Sequence, residues 1–417
     1  MSNYFKASDT IFHITETYPE TIEVFIANGF ENLSNPVMRR TLGKTISLET
    51  ALAMRKVNEE LFIKKLEEVI GQKAPSLTDG LTPAQSENKG DIRIEGVLPC
   101  PVRIPLLEKF ESWLEENKDS LGYEVEYYLK SANLGLEDVK DRVILADGNP
   151  DGLSDLYLSA GFDLFFDNKM IGGYQDSGVF EDLSGMEHLN PDLDNENLSL
   201  KDPKNQYAII GIVPAVFMVN TNVLGGRPFP ESWADLMKPE FENSISLPMK
   251  DLDMFNAFLL HIYRFYGEEG IEKMGKALLQ SMHPAQMIKS HKLKDGNKIP
   301  TITVAPYFFA SMTDEKSPMR PVWPKDGAII SPIFLLAKSK NKEKVKPFVD
   351  LLYSKDIGDI LSSNGKFPST NPLVDNCLTP DQNFMWIGWD FIHNNDIGAL
   401  IKKIEKLFFA AAQKEFL

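Results

Sequence analysis

Several residues of this 417-residue chain have types and spacings that could do chemistry. Cys100 stands between Pro99 and Pro101, after an apolar stretch and before a helix-spaced one. A helix N-terminus lowers a thiol pKa and favours thiolate chemistry. The plain alternative is a small buried side chain in a Pro-flanked turn. No His or Asp stands at motif spacing to act as its base. Ser159, Ala160 and Gly161 form a small-residue turn, which either lets a ligand approach the backbone or simply turns the chain. Asp253, Met254 and Asn256 precede an apolar helix that Asp253 could cap. Tyr307 and Phe308 follow ITVAP, and either line a wall or pack in a core. His283 and His291 lie near Met282 and Met287, but no carboxylate pattern joins them, so they are a weak metal signal. Gly43, Lys44 and Thr45 are half of a phosphate-loop motif whose required first glycine is Met38 here. No GxSxG, HExxH or EF-hand pattern occurs, so nothing signals an enzyme.

The elements that must position these residues change character along the chain. Up to about residue 70 the pattern is helical. Ser8, Asp9 and Thr10 offer N-cap chemistry near Ile11, Ser47 or Thr45 and Asn58 offer later N-caps, and Pro19 opens a second helix that ends at Gly29. Four short helices are expected, the last closing at Gly71. Residues 71–90, rich in Gly, Pro and polar side chains, read as a linker. From Asp91, strand-like stretches alternate with amphipathic ones: DIRIEGVL, then a helix over 105–115; LSDLYLSAG; AIIGIVPAVFMVN (208–220); helices over 256–267 and 272–282; ITVAPYFFA; and DGAIISPIFLLAK (326–338). That alternation predicts α/β layers. The acidic run 191–205 reads as a solvated loop.

Composition narrows the partners. Lys and Arg number 44 against 60 Asp and Glu, for a formal charge of −16. Such a field repels phosphate backbones and anionic membranes, so neither nucleic acid nor direct membrane insertion is expected. Two cysteines exclude a disulfide framework, though Cys100 and Cys377 could pair. The start, MSNYFKASDTIFHITETYPE, lacks the pattern of a signal peptide, which points to a cytoplasmic protein.

Residues 91–417 resemble the type II periplasmic solute-binding proteins, of the branch with ferric-ion and polyamine binders. PESWADLMKPEFENSISLP (230–248), DLYLSAG (155–161), WPKDGAIISPIFLLAK (323–338) and KPFVDLLYSKDIGDILSSNGKFPSTNPLV (346–374) carry the resemblance. Residues 1–70 resemble a small helical domain of unknown function associated with hybrid-cluster and redox proteins, through DTIFHITETYPETIEVFIANGF and ISLETALAMRKVNEELFIKKLEE. The cysteine pair of many of its relatives is replaced by ENLSNPVMRR, which favours interaction over redox chemistry.

The resemblance implies a two-lobed type II periplasmic-binding-protein fold with a small all-α domain in front. The expected division is 1–71 helical, 72–90 linker, 91–207 with 322–417 as lobe 1, and 208–321 as lobe 2. It implies that the lobes close by a hinge on a small-molecule or ion ligand, without catalysis. Ligands then come from strand ends: Leu98 to Val102, Ser159 to Phe162, Lys250 to Asn256, Pro306 to Phe308, and the stretch near Gly211 to Pro214. Cys100, Ser159, Ala160, Gly161, Asp253, Met254, Asn256, Tyr307 and Phe308 are the candidate contacts. Ferric binders of the family often pair tyrosines where this chain has Tyr307, Phe308 and Phe309, so a directly bound ferric ion loses one phenolate. The sequence does not identify a cofactor. The helical domain is expected to meet a protein partner or tether the binder. The alternative is a thiol enzyme or redox protein using Cys100.

Overall fold

Capping side chains and prolines set the helices of the N-terminal region, in a computed structural model that describes residues 5–18, 21–34, 36–73, 91–131, 136–249, 253–293, 299–314, 316–364 and 366–413. Thr10 accepts from the His13 N–H and opens α1 (Ile11–Thr17). Then come α2 (Thr21–Ala27), α3 (Pro36–Thr45), α4 (Leu48–Arg55) and α5 (Glu59–Lys73). Ser47 caps α4, and Asn58 Oδ1 accepts from Leu61 N at the start of α5. Two expectations are corrected. α3 is an additional helix that starts on a proline at its first position, where no N–H is needed. α5 runs through Gly71 to Lys73 rather than stopping there. Phe25, Phe30 and Phe62 meet at ring distances of 5.3 to 5.9 Å and anchor this region's own core.

From Asp91 the chain is α/β. The strands are β1 (Ile92–Leu98), β2 (Val125–Ser131), β3 (Leu156–Ser159), β4 (Phe180–Glu181), β5 (Asp194–Asn195), β6 (Leu198–Ser199), β7 (Ala208–Asn220), β8 (Ile245–Leu247), β9 (Leu278–Ser281), β10 (Ile302–Pro306), β11 (Met319–Val322), β12 (Ala328–Lys338) and β13 (Phe384–Met385). The helices are α6 (Cys100–Leu121), α7 (Glu137–Leu145), α8 (Phe162–Phe166), α9 (Thr221–Leu224), α10 (Trp233–Leu236), α11 (Met254–Ala277), α12 (Pro284–Met287), α13 (Tyr307–Ser311), α14 (Lys342–Leu352), α15 (Lys355–Asp359), α16 (Trp389–His393) and α17 (Ile397–Ala412).

One large sheet runs β2-β1-β3-β12-β7-β10-β8-β9. β1 lies parallel to β2 and β3, and β8 parallel to β10 and β9. β7 and β12 join these two halves antiparallel to each other. Both read as nearly continuous apolar runs because every residue in them is buried.

Register sets two strand ends opposite each other. The C-terminal end of β3, Ser159, pairs with Phe334 of β12. The C-terminal end of β10, Pro306, pairs with Ala215 of β7, which pairs with Ile329 of β12. The two strand ends therefore point toward each other, separated by five residues of β12, or about 16 Å of strand. The middle of β7 and β12 is the floor between them. Gly211 to Pro214, expected as a strand-end loop, is buried strand interior on that floor. A bulge between Ile333 and Phe334 interrupts the pairing there. The neighbouring edge of β7 is closed by the loop after α15: Ile212 N donates to Pro368 O at 3.0 Å, and Thr370 N to Ile210 O at 3.2 Å.

Three other expectations change. The helix foreseen over 272–282 ends at Ala277, and Leu278–Ser281 joins the sheet as β9. The helix foreseen over 105–115 runs from Cys100 to Leu121 with Pro105 inside it. The acidic run 191–205 is not wholly solvated: Asp202 is 1% exposed. Its carboxylate accepts from Lys204 N, Gln206 N and Tyr207 N and meets His393 Nε2 at 3.0 Å. Among the described residues no helix is long and apolar enough to cross a membrane.

Candidate functional site

The turn after β3 and the start of α11 form one joint. Ser159 and Ala160 are buried, and the Ser159 hydroxyl donates to Ala160 O at 2.6 Å. Gly161 follows at φ 144°, a conformation that suits glycine, and hands the chain to α8. At the other side, Asp253 takes the left-handed conformation, φ 49°, before α11. It does not cap its own helix. Its Oδ2 accepts from Phe162 N at 2.5 Å, and its Oδ1 accepts from Asn256 Nδ2 at 2.6 Å. Thus the expected loops 159–162 and 250–256 are tied at Phe162 and Asp253, by a bond between the start of α8 and the segment that follows β8. Met254 is buried at the first position of α11.

Two acids and one lysine set the electrostatics at the joint. Loss of hydration and the nearby Asp163 charge raise the Asp253 carboxyl well above the usual range. Asp163 itself pairs with Lys140 at 2.7 Å. Burial, with Asp163 again adding to it, also raises Glu405.

Aromatic residues that sequence reading missed surround the joint. Trp386 lies 6.2 Å from the Phe162 ring and 6.1 Å from His261. It follows β13, which pairs with Ala328 and Ile329 at the start of β12. The buried Trp386 Nε1 has no partner among the described residues. His261 is fully buried, and burial pushes it down to about 4. The only signal for Trp386 was the tryptophan pair in FMWIGWD, a segment without periodicity.

Tyr307 and Phe308 occupy a different cluster. Tyr307 meets Trp323 edge-on at 5.0 Å, and Phe308 meets Phe309 at 5.2 Å and Phe367 at 6.5 Å. Phe367 leads into the loop that closes the β7 edge, so Phe308 flanks the floor. Cys100 is the first residue of α6; its side chain lies outside the described residues. Lys250 to Leu252 of the loop before Asp253 also lie outside them. Cys377 is a free, exposed thiol. His283 packs edge-on against Phe309 at 6.2 Å, and burial lowers His291. Among the described residues no group of three or more His, Cys, Asp or Glu could hold a metal ion.

This is the architecture of a known group of binders, and the sequence carries its signature. The profile described as bacterial extracellular solute-binding protein matches residues 151–395. The chain belongs to that family. A second profile, domain of unknown function (DUF1858), matches residues 5–63. The spermidine/putrescine-binding periplasmic protein of Salmonella typhimurium is 25% identical over 215 residues, which cover 48% of this chain and 59% of that relative. The Escherichia coli protein of the same description is 25% identical over 248 residues, covering 54% and 68%. The match to the Salmonella relative thus spans less than two thirds of its length.

Solved structures agree on the fold of this solute-binding family member. The apo ferric ion-binding protein A of Pasteurella haemolytica superposes with a TM-score of 0.54 at 13% identity, covering 76% of this chain and 98% of that one. The periplasmic binding protein AfuA of Actinobacillus pleuropneumoniae, with fructose-6-phosphate bound, gives 0.51 at 15% identity, covering 79% and 100%.

Proposed function

We propose that this chain binds a small cationic solute, of the polyamine type, in the cleft over the middle of β7 and β12, and that it does so without catalysis. The observation that carries the reading is the Asp253 carboxylate, held at the joint of the two halves with Asp163 beside it and its acidity weakened by burial. An ammonium group arriving there would face Asp253 and Asp163, of which Asp163 already pairs with Lys140. Trp386 offers an aromatic face of the kind that attracts cations. The net charge of −16 favours the approach of a cation. Relatives described as spermidine/putrescine-binding support the class. Binding shifts the population toward the closed arrangement because only that arrangement brings both strand ends to the ligand.

The experiment is calorimetric titration with spermidine and putrescine, beside ferric citrate and fructose-6-phosphate as competitors of different chemistry. Saturable binding of a polyamine, weakened at least tenfold in Asp253→Asn, is expected. Binding of only the phosphate or the iron complex overturns the cationic class.

An intracellular site of action is part of the proposal. The free, exposed Cys377 thiol suits a reducing compartment. Fractionation tests it: recovery with periplasmic markers overturns it. The small helical domain is the natural contact for a protein partner, tested by co-purification with and without residues 1–73.

A further inference from the structure

The N-terminal helical domain touches both halves of the binding fold. Its helix α2 is two-faced. Val24 and Phe25 point into the domain's own core with Phe30 and Phe62. Ile26 is buried instead in a cluster with Val216, Met218, Met287, Ala305 and Phe309, and Ile22, one turn earlier, packs against the same cluster. Those partners belong to β10, to the helices α12 and α13 beside it, and to the part of β7 that pairs with β10, all on the second-half side. On the other side, Leu61 of α5 is buried with the core of the α/β region, and Ile104 of α6 packs against that core and the helical domain's core together. Lys64 of α5 lies 4.0 Å from Glu111 of α6, whose Oε1 accepts from Tyr127 OH. These contacts belong to the first half.

The location gives the contacts meaning. α6 begins after the C-terminal end of β1, and α13 after the C-terminal end of β10. β1 lies parallel beside β3, so its C-terminal end stands next to the β3 end that faces the β10 end across the floor. A two-half binder opens by moving such ends apart. A domain packed on both must let go of one before the cleft opens fully.

We propose that the N-terminal helical domain is a clasp that holds the two halves in their closed relation, α2 gripping the second half and α5 the first. Release of either grip opens the cleft. The inference goes beyond the solute-binding reading and holds whatever the ligand is. It gives whatever displaces the helical domain control over solute exchange.

The test uses the full chain without ligand. Asp119→Cys on α6 and Glu240→Cys in the second half, both exposed positions, carry spin labels in a Cys100→Ser, Cys377→Ser background. Pulsed dipolar spectroscopy then reads the distance between the halves. One dominant short distance is expected. Ile26→Asp, which releases the second half, and Ile104→Asp, which releases the first, should each raise the opened population about tenfold. Ile26→Val should leave the distribution unchanged. Hydrogen exchange on the same samples reports whether α2 and α5 remain helical. If Ile26→Asp unfolds the small domain, the milder pair Ile22→Ser with Ile26→Ser replaces it. A domain docked passively predicts faster exchange in α13 with an unchanged distance in both variants, and that result overturns the clasp.

Discussion

The Asp253 carboxylate accepts the backbone N–H of Phe162, so the approach to α11 is tied to the start of α8 across the meeting line of the two halves. The bond survives protonation of the carboxyl, because the carbonyl oxygen still accepts. Burial and Asp163 raise the Asp253 pKa above its ordinary 3.8. The sign follows from linkage. The unfolded chain releases this proton more readily, so the contribution is present below 3.8 and lost as pH rises through the raised value. Asp253→Asn should flatten that part of the dependence. Urea midpoints at about pH 4 and about pH 7 measure it, and an unchanged pH difference in the variant removes Asp253 as the source.

His261 works in the opposite direction. Burial lowers it from 6.5 to about 4. Its Nδ1 meets Ala257 O at 2.6 Å, so that nitrogen carries the proton in the neutral ring. The unfolded chain takes up a second proton first as pH falls. Stability is therefore full above 6.5 and drains away toward about 4, by about 3 kcal/mol in all. His261→Gln should lose this slope. Denaturation of the variant over the same range checks it, and comparison with Asp253→Asn separates two overlapping windows.

Gly96 has no room for a side chain. A Cβ there would lie 1.8 Å from Leu158 O, the backbone of the paired strand β3. Neither strand can shift without breaking the register that aims the β3 end at the floor. Gly96→Ala should cost more than about 4 kcal/mol, seen as loss of soluble protein or of the cooperative melt.

Asp326 organises the turn into β12. Its carboxylate accepts from Trp233 N at 2.9 Å and from Tyr266 OH at 2.6 Å, while Trp233 Nε1 donates to Gly327 O at 2.9 Å. Asp326→Ala leaves a buried amide and a phenol without their acceptor. A loss of about 2–4 kcal/mol is expected, and Asp326→Asn should recover part of it. Thermal melts of the two variants give the comparison.

How much of this was legible beforehand depends on range. Strands β7 and β12 were readable because an apolar run buried on both faces needs no partner to declare itself. The turn at 159–161 and the Asp253 segment were readable as strand ends. Their union was not, because it depends on register between strands far apart in sequence. α3 was missed because it is short and polar on average, with Val37, Met38 and Leu42 as its apolar side chains and Gly43 inside it. Asp202 looked solvated until His393, near the other end of the chain, arrived beside it.

By itself, then, the sequence determined local structure and fold class: caps, turns, the alternation of strands and helices, and the resemblance those segments carry. These follow from interactions within a few residues. Only the tertiary structure decided that Asp253 meets Phe162, that Trp386 stands beside them, and that Ile26 leaves its own domain to pack on the other half. Each joins residues far apart in the chain, and local patterning carries no information about which distant surfaces meet.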